Sequence, residues 1–185
     1  REIKRRLKSG DTFSVCYCDL DNFKAYNDKY GYEAGDKVIF HTAQLLMGSV
    51  RELGDNGDFV GHIGGDDFVV VTEPERDNEI CKAVVDRFDS TIVQFYDERD
   101  RLRKSIQVEN RSGTLENFPI MTITMAVVSG SQNDFESTHV IAERAAELKK
   151  YLKRFKGSNF LSERRGADVQ SADEVAAGQR LGSAG

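Results

Sequence analysis

The chain has no tryptophan, two prolines and three cysteines among its 185 residues. So few cysteines cannot build a disulfide scaffold, and Cys16, Cys18 and Cys81 have no histidines close by in sequence to complete a zinc site. They read as reduced core residues, with Cys16 and Cys18 on one face of a strand, which suits a cytoplasmic protein. No apolar run approaches the ~20 residues that span a bilayer, so no membrane segment is expected. The net charge is −5, and no stripe of Lys and Arg interleaved with aromatic residues offsets it, which argues against a nucleic-acid partner. Hydrophobic residues at 39% and charged residues at 31% fit one globular domain with its own core. Residues 1–10 are basic and begin without Met, and they read as the end of an upstream linker or helix. Residues 166–185 lose periodicity and read as a disordered tail, which leaves 11–165 as the domain.

Residues 12–20, TFSVCYCDL, form a β-branched and aromatic run that ends in acids, the pattern of a buried strand feeding a polar loop. Ile39, Ala43, Leu46, Val50 and Leu53 then recur at helical spacing in a helix expected from Asp36 to Leu53. Two apolar runs, 59–63 and 68–72, flank Gly64, Gly65, Asp66 and Asp67, the composition of a β-hairpin with a tight turn. Ile80, Val84, Phe88, Ile92 and Phe95 mark a second long helix. A turn signal at 110–113 suggests a projecting hairpin over 106–118, inside an inserted region 97–118 whose role the sequence does not show. Residues 120–128, IMTITMAVV, alternate as a central strand does. Ile141, Ala145, Leu148, Leu152 and Phe155 mark a last helix closed by Gly157, before a short strand at 159–162. The fold class is α+β, with a mixed, mainly antiparallel central sheet packed by helices.

Two acidic clusters carry the chemistry, one after the first strand and one on the hairpin turn. Adjacent central strands would bring them within a few Å. Asp19, Asp66 and Asp67 would then be hard oxygen ligands of the kind Mg²⁺ takes while it bridges to substrate phosphates. Asp66 and Asp67 equally suit a plain turn. Gly64 and Gly65 remove side chains beside the acids and let a phosphate approach backbone N–H groups. Lys24 follows the first cluster where it could meet phosphates, or it is simply solvated.

The run DLDNFKAYNDKYGYEAGD at 19–36, followed by GGDDF at 64–68, resembles the two signatures of the GGDEF family of diguanylate cyclases, over about residues 14–161. The resemblance implies catalysis by Asp19, Lys24, Asp66 and Asp67. It implies Mg²⁺, with Mn²⁺ as an alternative, held by Asp19, Asp66, Asp67 and the Leu20 carbonyl. It places Phe23, Lys24 and Arg154 around the terminal phosphates, and Asn27 and Asp36 at the guanine. Read locally, Asn27 also suits a turn and Asp36 a helix cap. The implied activity joins two GTP into cyclic di-GMP across a homodimer, under an upstream regulatory domain.

Four positions depart from the family pattern. Asp67 stands for Glu, one methylene shorter. Tyr32 stands where His is usual. Ser158 removes a basic phosphate contact that Lys153 or Lys156 would have to replace, unless these serve only the helix end. Asp55 takes the Arg position of the RxxD product-inhibition motif, leaving Asp58 as its acid, so that site is expected to be missing. Two readings besides an active cyclase stay open: a weakened domain acting as a GTP or cyclic di-GMP receptor, and a structural dimerisation module.

Overall fold

The computed structural model describes residues 1–110, 112–131 and 133–164. Along them run α1 (Glu2–Ser9), β1 (Phe13–Asp21), α2 (Phe23–Tyr30), α3 (Tyr32–Leu53), β2 (Phe59–Gly64), β3 (Asp67–Thr72), α4 (Asp77–Ile92), α5 (Glu98–Arg103), β4 (Ser105–Glu109), β5 (Leu115–Pro119), β6 (Thr122–Gly130), α6 (Thr138–Leu152) and β7 (Asn159–Arg164). Five strands form one sheet in the order β2-β3-β1-β6-β7. Its pairs are antiparallel except β6 with β7, which are parallel. The fold is α+β, with this mixed sheet packed by helices. The tail expected at 166–185 lies outside the described residues.

Alternation along β1 divides the core in two. Cys16, Cys18 and Leu20 face one layer with Phe68, Val70, Ile123, Met125 and Val127, packed by Val38, Leu46, Ile80, Val84 and Phe88 of α3 and α4. Phe13 and Val15 face the other with Val69, Val71, Ala126 and Val128, packed by Ile141, Ala145 and Leu152 of α6. Each Val, Leu, Ile, Phe or Met among them removed from water contributes about 1.5–3 kcal/mol, so both layers hold β1 in register. All three cysteines are free and buried, Cys16 and Cys18 on the same face as expected, with Cys81 Sγ 3.8 Å from Cys16 Sγ. Asp77 is buried in the first turn of α4, where its Oδ2 accepts from Ser14 at 2.7 Å and Ser129 at 3.2 Å, tying that helix start to the sheet.

Residues 1–10 contain α1, whose Ile3 and Leu7 pack against the second core layer. Its Arg6 is 7% exposed, donates to the Gly57 carbonyl at 2.8 Å and pairs with Glu73 at 2.7 Å. Two helices differ from expectation. The helix anticipated from Asp36 begins at Tyr32, because Gly31, at φ 85°, both ends α2 and opens α3. Asp36 therefore sits in the second turn rather than at a cap, and Asn27 lies within α2 rather than in a turn. The helix expected to reach Gly157 ends at Leu152. Arg154 and Phe155 donate to carbonyls three residues back, at 3.1 and 3.0 Å, and Phe155 turns out to solvent at 48% exposure. The projecting hairpin is real: β4 and β5 form their own two-stranded sheet.

Candidate active site at the ends of β1 and β3

The β1 row that faces α6 runs from Phe13 and Val15 through Tyr17 to Asp19 and Asp21, so the acids extend a core row past its apolar end. β3 runs antiparallel beside it, and its row of Val71 and Val69 ends in Asp67, directly opposite Asp19. The expected meeting of the two acidic clusters is thus a matter of register. Asp21 joins them on the same face, where its Oδ2 accepts from the hydroxyls of Thr122 at 3.0 Å and Thr124 at 2.7 Å. Asp66 sits on the turn, where burial and the like charges of Asp19 and Asp67 raise its carboxyl above the usual range. Gly64 and Gly65 have φ of 147° and 58°, and a Cβ on either would meet nothing within 4 Å, so this turn is bare on its outer side. His62 holds the turn from within, its Nε2 2.9 Å from the Gly65 carbonyl and its ring stacked on Phe68.

Lys149 on α6 and Lys153, the residue just past its end, lie one turn apart and reach into the acids. The Lys149 ammonium lies 2.9 Å from both Asp19 Oδ2 and Asp67 Oδ1. Lys153 pairs with the other Asp19 oxygen and stands 3.5 Å from Asp21. Burial alone would raise the Asp19 carboxyl, but the hydrogen bonds and charges of the two lysines outweigh it and hold the group below its ordinary value. Burial likewise opposes the charge on Lys149 and Lys153, and their carboxylate partners overcome it, so both ammonium groups are stabilised.

A second group forms where α2 meets α3. Asn27 Oδ1 is buried without a hydrogen-bond partner, and it lies 1.9 Å from where a Cβ on Gly35 would stand. The Phe23 ring approaches the same point to 3.2 Å. Asp36, the next residue, is exposed and lines a cleft of about 540 Å³ with Phe40, His41 and Phe95. Lys24 is exposed and lines a separate groove of about 1200 Å³ between α2 and the β4–β5 hairpin, beside Tyr32 and Phe118. Arg154 is exposed beyond the end of α6, and no ion pair joins it to the acids among the described residues. Leu20 is 1% exposed, with its side chain in the first core layer. Ser158 is used structurally: its Oγ accepts from the Ile123 N–H at 3.0 Å and donates to Asp89. Asp58 is turned inward, accepting from Thr72 at 2.8 Å and from the Asp55 N–H at 3.0 Å, while the exposed Asp55 faces Arg76 at 3.9 Å.

Among the described residues, no three His, Cys, Asp or Glu side chains close into a metal cage. Mg²⁺ does not need one, because one or two carboxylates with water and substrate phosphates suffice. Lys149 already places a positive charge between Asp19 and Asp67 at 2.9 Å from each, so this pair attracts a cation, and its hard oxygen donors are of the type that suits Mg²⁺ or Mn²⁺.

The profile described as "Diguanylate cyclase, GGDEF domain" matches residues 1–156. The chain belongs to the GGDEF domain family. The diguanylate cyclase DosC of Escherichia coli is 33% identical over 82 residues, covering 44% of this chain and 17% of that protein. The diguanylate cyclase DgcP of Pseudomonas aeruginosa is 32% identical over 92 residues, covering 50% and 13%. The matches thus span under a fifth of these curated relatives. The active GGEEF domain of a Vibrio cholerae diguanylate cyclase shares the fold of this GGDEF domain, with a TM-score of 0.63 at 21% identity over 89% of this chain and 90% of that one. The GGDEF domain of DgcB from Caulobacter crescentus, solved with c-di-GMP, gives 0.55 at 19% over 88% and 84%. No described helix is long and apolar enough to cross a membrane.

Sequence reasoning missed Asp21 and Lys149. The signal for Asp21 was its spacing of two from Asp19 on a strand. The signal for Lys149 was its place four residues after Ala145 and three before Leu152, on the apolar stripe of α6.

Proposed function

We propose that this GGDEF domain binds GTP with Mg²⁺ or Mn²⁺ and condenses two GTP into cyclic di-GMP and two pyrophosphates. It would work in the cytoplasm as one half of a homodimer governed by an upstream regulatory domain. The observation that carries the reading is the in-register pair of Asp19 and Asp67 beside a bare two-glycine turn. In this scheme the Asp36 carboxylate accepts from the N1–H and N2–H of guanine, with Asn27 beside it. Adenine has no N1–H and would leave that carboxylate unpaired. Phe23, Lys24 and Arg154 surround the terminal phosphates, which requires Lys24 and Arg154 to swing from their present exposed positions. Asp19, Asp66, Asp67 and the Leu20 carbonyl would hold the ion. When bound, the ion would lower the pKa of the ribose hydroxyl and neutralise charge developing on the phosphoryl oxygens.

Each 3′-oxygen forms a bond to the α-phosphorus of the opposing GTP, the bond to the β-phosphate oxygen breaks, and the hydroxyl proton passes to water. The chain's own contribution is to place and orient these groups. The inward-turned Asp58 and the negative Asp55 support a domain without strong local product inhibition. The test is incubation with GTP and Mg²⁺ or Mn²⁺, followed by chromatographic separation of the nucleotides. Cyclic di-GMP from the parent and none from Asp66→Asn is the expected result. GTP left intact even by two copies joined through a coiled coil would overturn the cyclase reading.

One observation favours a second reading, a GTP or cyclic di-GMP receptor with weak turnover. Both Asp19 oxygens are already paired with lysines. Nucleotide binding without product, in the same assay and by calorimetry, would select it.

A further inference from the structure

We propose that Lys149 and Lys153 are tethered counter-ions that occupy the metal position of this GGDEF domain and yield it only when a nucleotide polyphosphate draws them away. The inference rests on the nucleotide-binding reading above and concerns how the same site is loaded. Asp19, Asp21 and Asp67 present three carboxylates on one face at the ends of two strands, and Asp66 stands on the adjoining turn. Left to themselves these acids would repel one another strongly. The two ammonium groups offset two of those charges internally: Lys149 spans Asp19 and Asp67, and Lys153 spans Asp19 and Asp21. Every oxygen of Asp19 is engaged. A divalent ion entering alone would have to displace a cation that is covalently part of the chain and never diffuses away.

The lysines are built for this position. Lys149 is only 20% exposed and lies on the core-facing stripe of α6, between Ala145 and Leu152, where an apolar residue would otherwise pack. Lys153 is 43% exposed and stands at the end of the same helix, with freedom to leave. A triphosphate approaching the bare Gly64–Gly65 turn offers several negative oxygens to two long, flexible ammonium groups. As they turn toward it, Asp19 and Asp67 are freed for an ion arriving with the nucleotide. Binding of ion and nucleotide is therefore mutually favourable, and by linkage each strengthens the other by the same factor.

The experiment measures Mn²⁺ affinity by electron paramagnetic resonance, with and without a GTP analogue whose α–β bridge is methylene and cannot react. The parent is expected to bind Mn²⁺ weakly alone and at least about tenfold more tightly with the analogue. The double variant Lys149→Met, Lys153→Met is expected to bind Mn²⁺ alone at least about tenfold more tightly than the parent, since both positive charges beside the ion have gone. It should also show a melting temperature that rises with Mg²⁺ where that of the parent does not. Equal Mn²⁺ affinity in parent and double variant overturns the proposal. Should the double variant not fold in metal-free buffer, refolding on addition of Mg²⁺ supports the proposal. Failure to refold shifts the comparison to Lys153→Met, whose more exposed ammonium can be removed alone, and an unchanged Mn²⁺ affinity there overturns it. Tighter Mn²⁺ binding in the variant without any cyclic di-GMP from the parent leaves this loading device standing and removes the cyclase reading instead.

Discussion

The two halves of the candidate site are finished to different degrees. At the strand ends, Asp19, Asp21 and Asp67 are met by lysines and threonine hydroxyls, so this half is electrostatically closed. At the α2–α3 junction, Asn27 Oδ1 is buried without a partner and Asp36 stands exposed at the rim of a cleft, so that half is open. The difference teaches where each half gets its stability. The strand ends are satisfied by the chain itself and contribute to holding the fold. The α2–α3 junction leaves one buried acceptor, Asn27 Oδ1, without a partner and one carboxylate, Asp36, in solvent, so it contributes less to holding the fold.

The comparison breaks most sharply at Asp66. Asp66→Asn is expected to lower cyclic di-GMP formation by about 100-fold or more, while circular dichroism stays that of the parent. Product at the parent rate would remove Asp66 from the site. The next effect is on stability. Lys149→Ala should destabilise the metal-free domain by about 1–3 kcal/mol in urea titrations, because it strips a partner from a mostly buried carboxylate. Asp36→Ala should stay within about 0.5 kcal/mol, since that side chain is exposed. Similar losses for both would erase the distinction between a closed half and an open one.

In binding the order reverses. Asp36→Ala is expected to weaken GTP about tenfold or more, while ATP hardly changes, as read by calorimetry with calcium suppressing turnover. Equal losses for the two nucleotides would show that Asp36 does not read the base. Gly35→Ala should act on the same half at one remove. The added methyl group meets Asn27 Oδ1 at 1.9 Å and pushes that side chain away, so guanine affinity should fall several-fold although alanine favours the helix by up to about 1 kcal/mol. An Asn27→Ala background should abolish the difference.

The smallest expected effect concerns His41, which lines the open cleft beside Asp36 and lies 2.8 Å from Thr91 Oγ1. Burial lowers its pKa below the ordinary imidazole value, so the folded state resists protonation more than the unfolded chain does. Its contribution to stability is complete above the unfolded value and declines as the pH falls through the folded one. Denaturation of the parent and of His41→Gln at pH 7 and pH 5.5 should show the parent losing slightly more. Identical losses would mean that His41 titrates alike in both states.

Much of this was legible before any coordinates. The hairpin around Gly64–Asp67 and the central strand at 120–128 follow from local patterns, and the meeting of Asp19 with the hairpin acids was expected if their strands lay side by side, as β1 and β3 do. What stayed hidden depends on how elements dock. Helix α2 spans eight residues and buries Ala25 and Tyr26 against the core, too short a stretch for periodicity to declare itself. Lys149 sits on an apolar stripe, and nothing in that stripe says that the strand ends opposite it are acidic. The end of α6 at Leu152 hung on the turn that follows, whose bonds three residues back leave no mark on composition.

The contact between Gly35 and Asn27 reaches beyond this chain. Two positions eight apart in sequence share a single volume, since the amide oxygen of one fills the space where the other lacks a side chain. They should therefore be inherited as a unit. Among related chains aligned by their signatures, an asparagine at the first position should travel with a glycine at the second. Chains that have replaced the glycine should have given up the asparagine too, leaving a covariation detectable without measuring any activity.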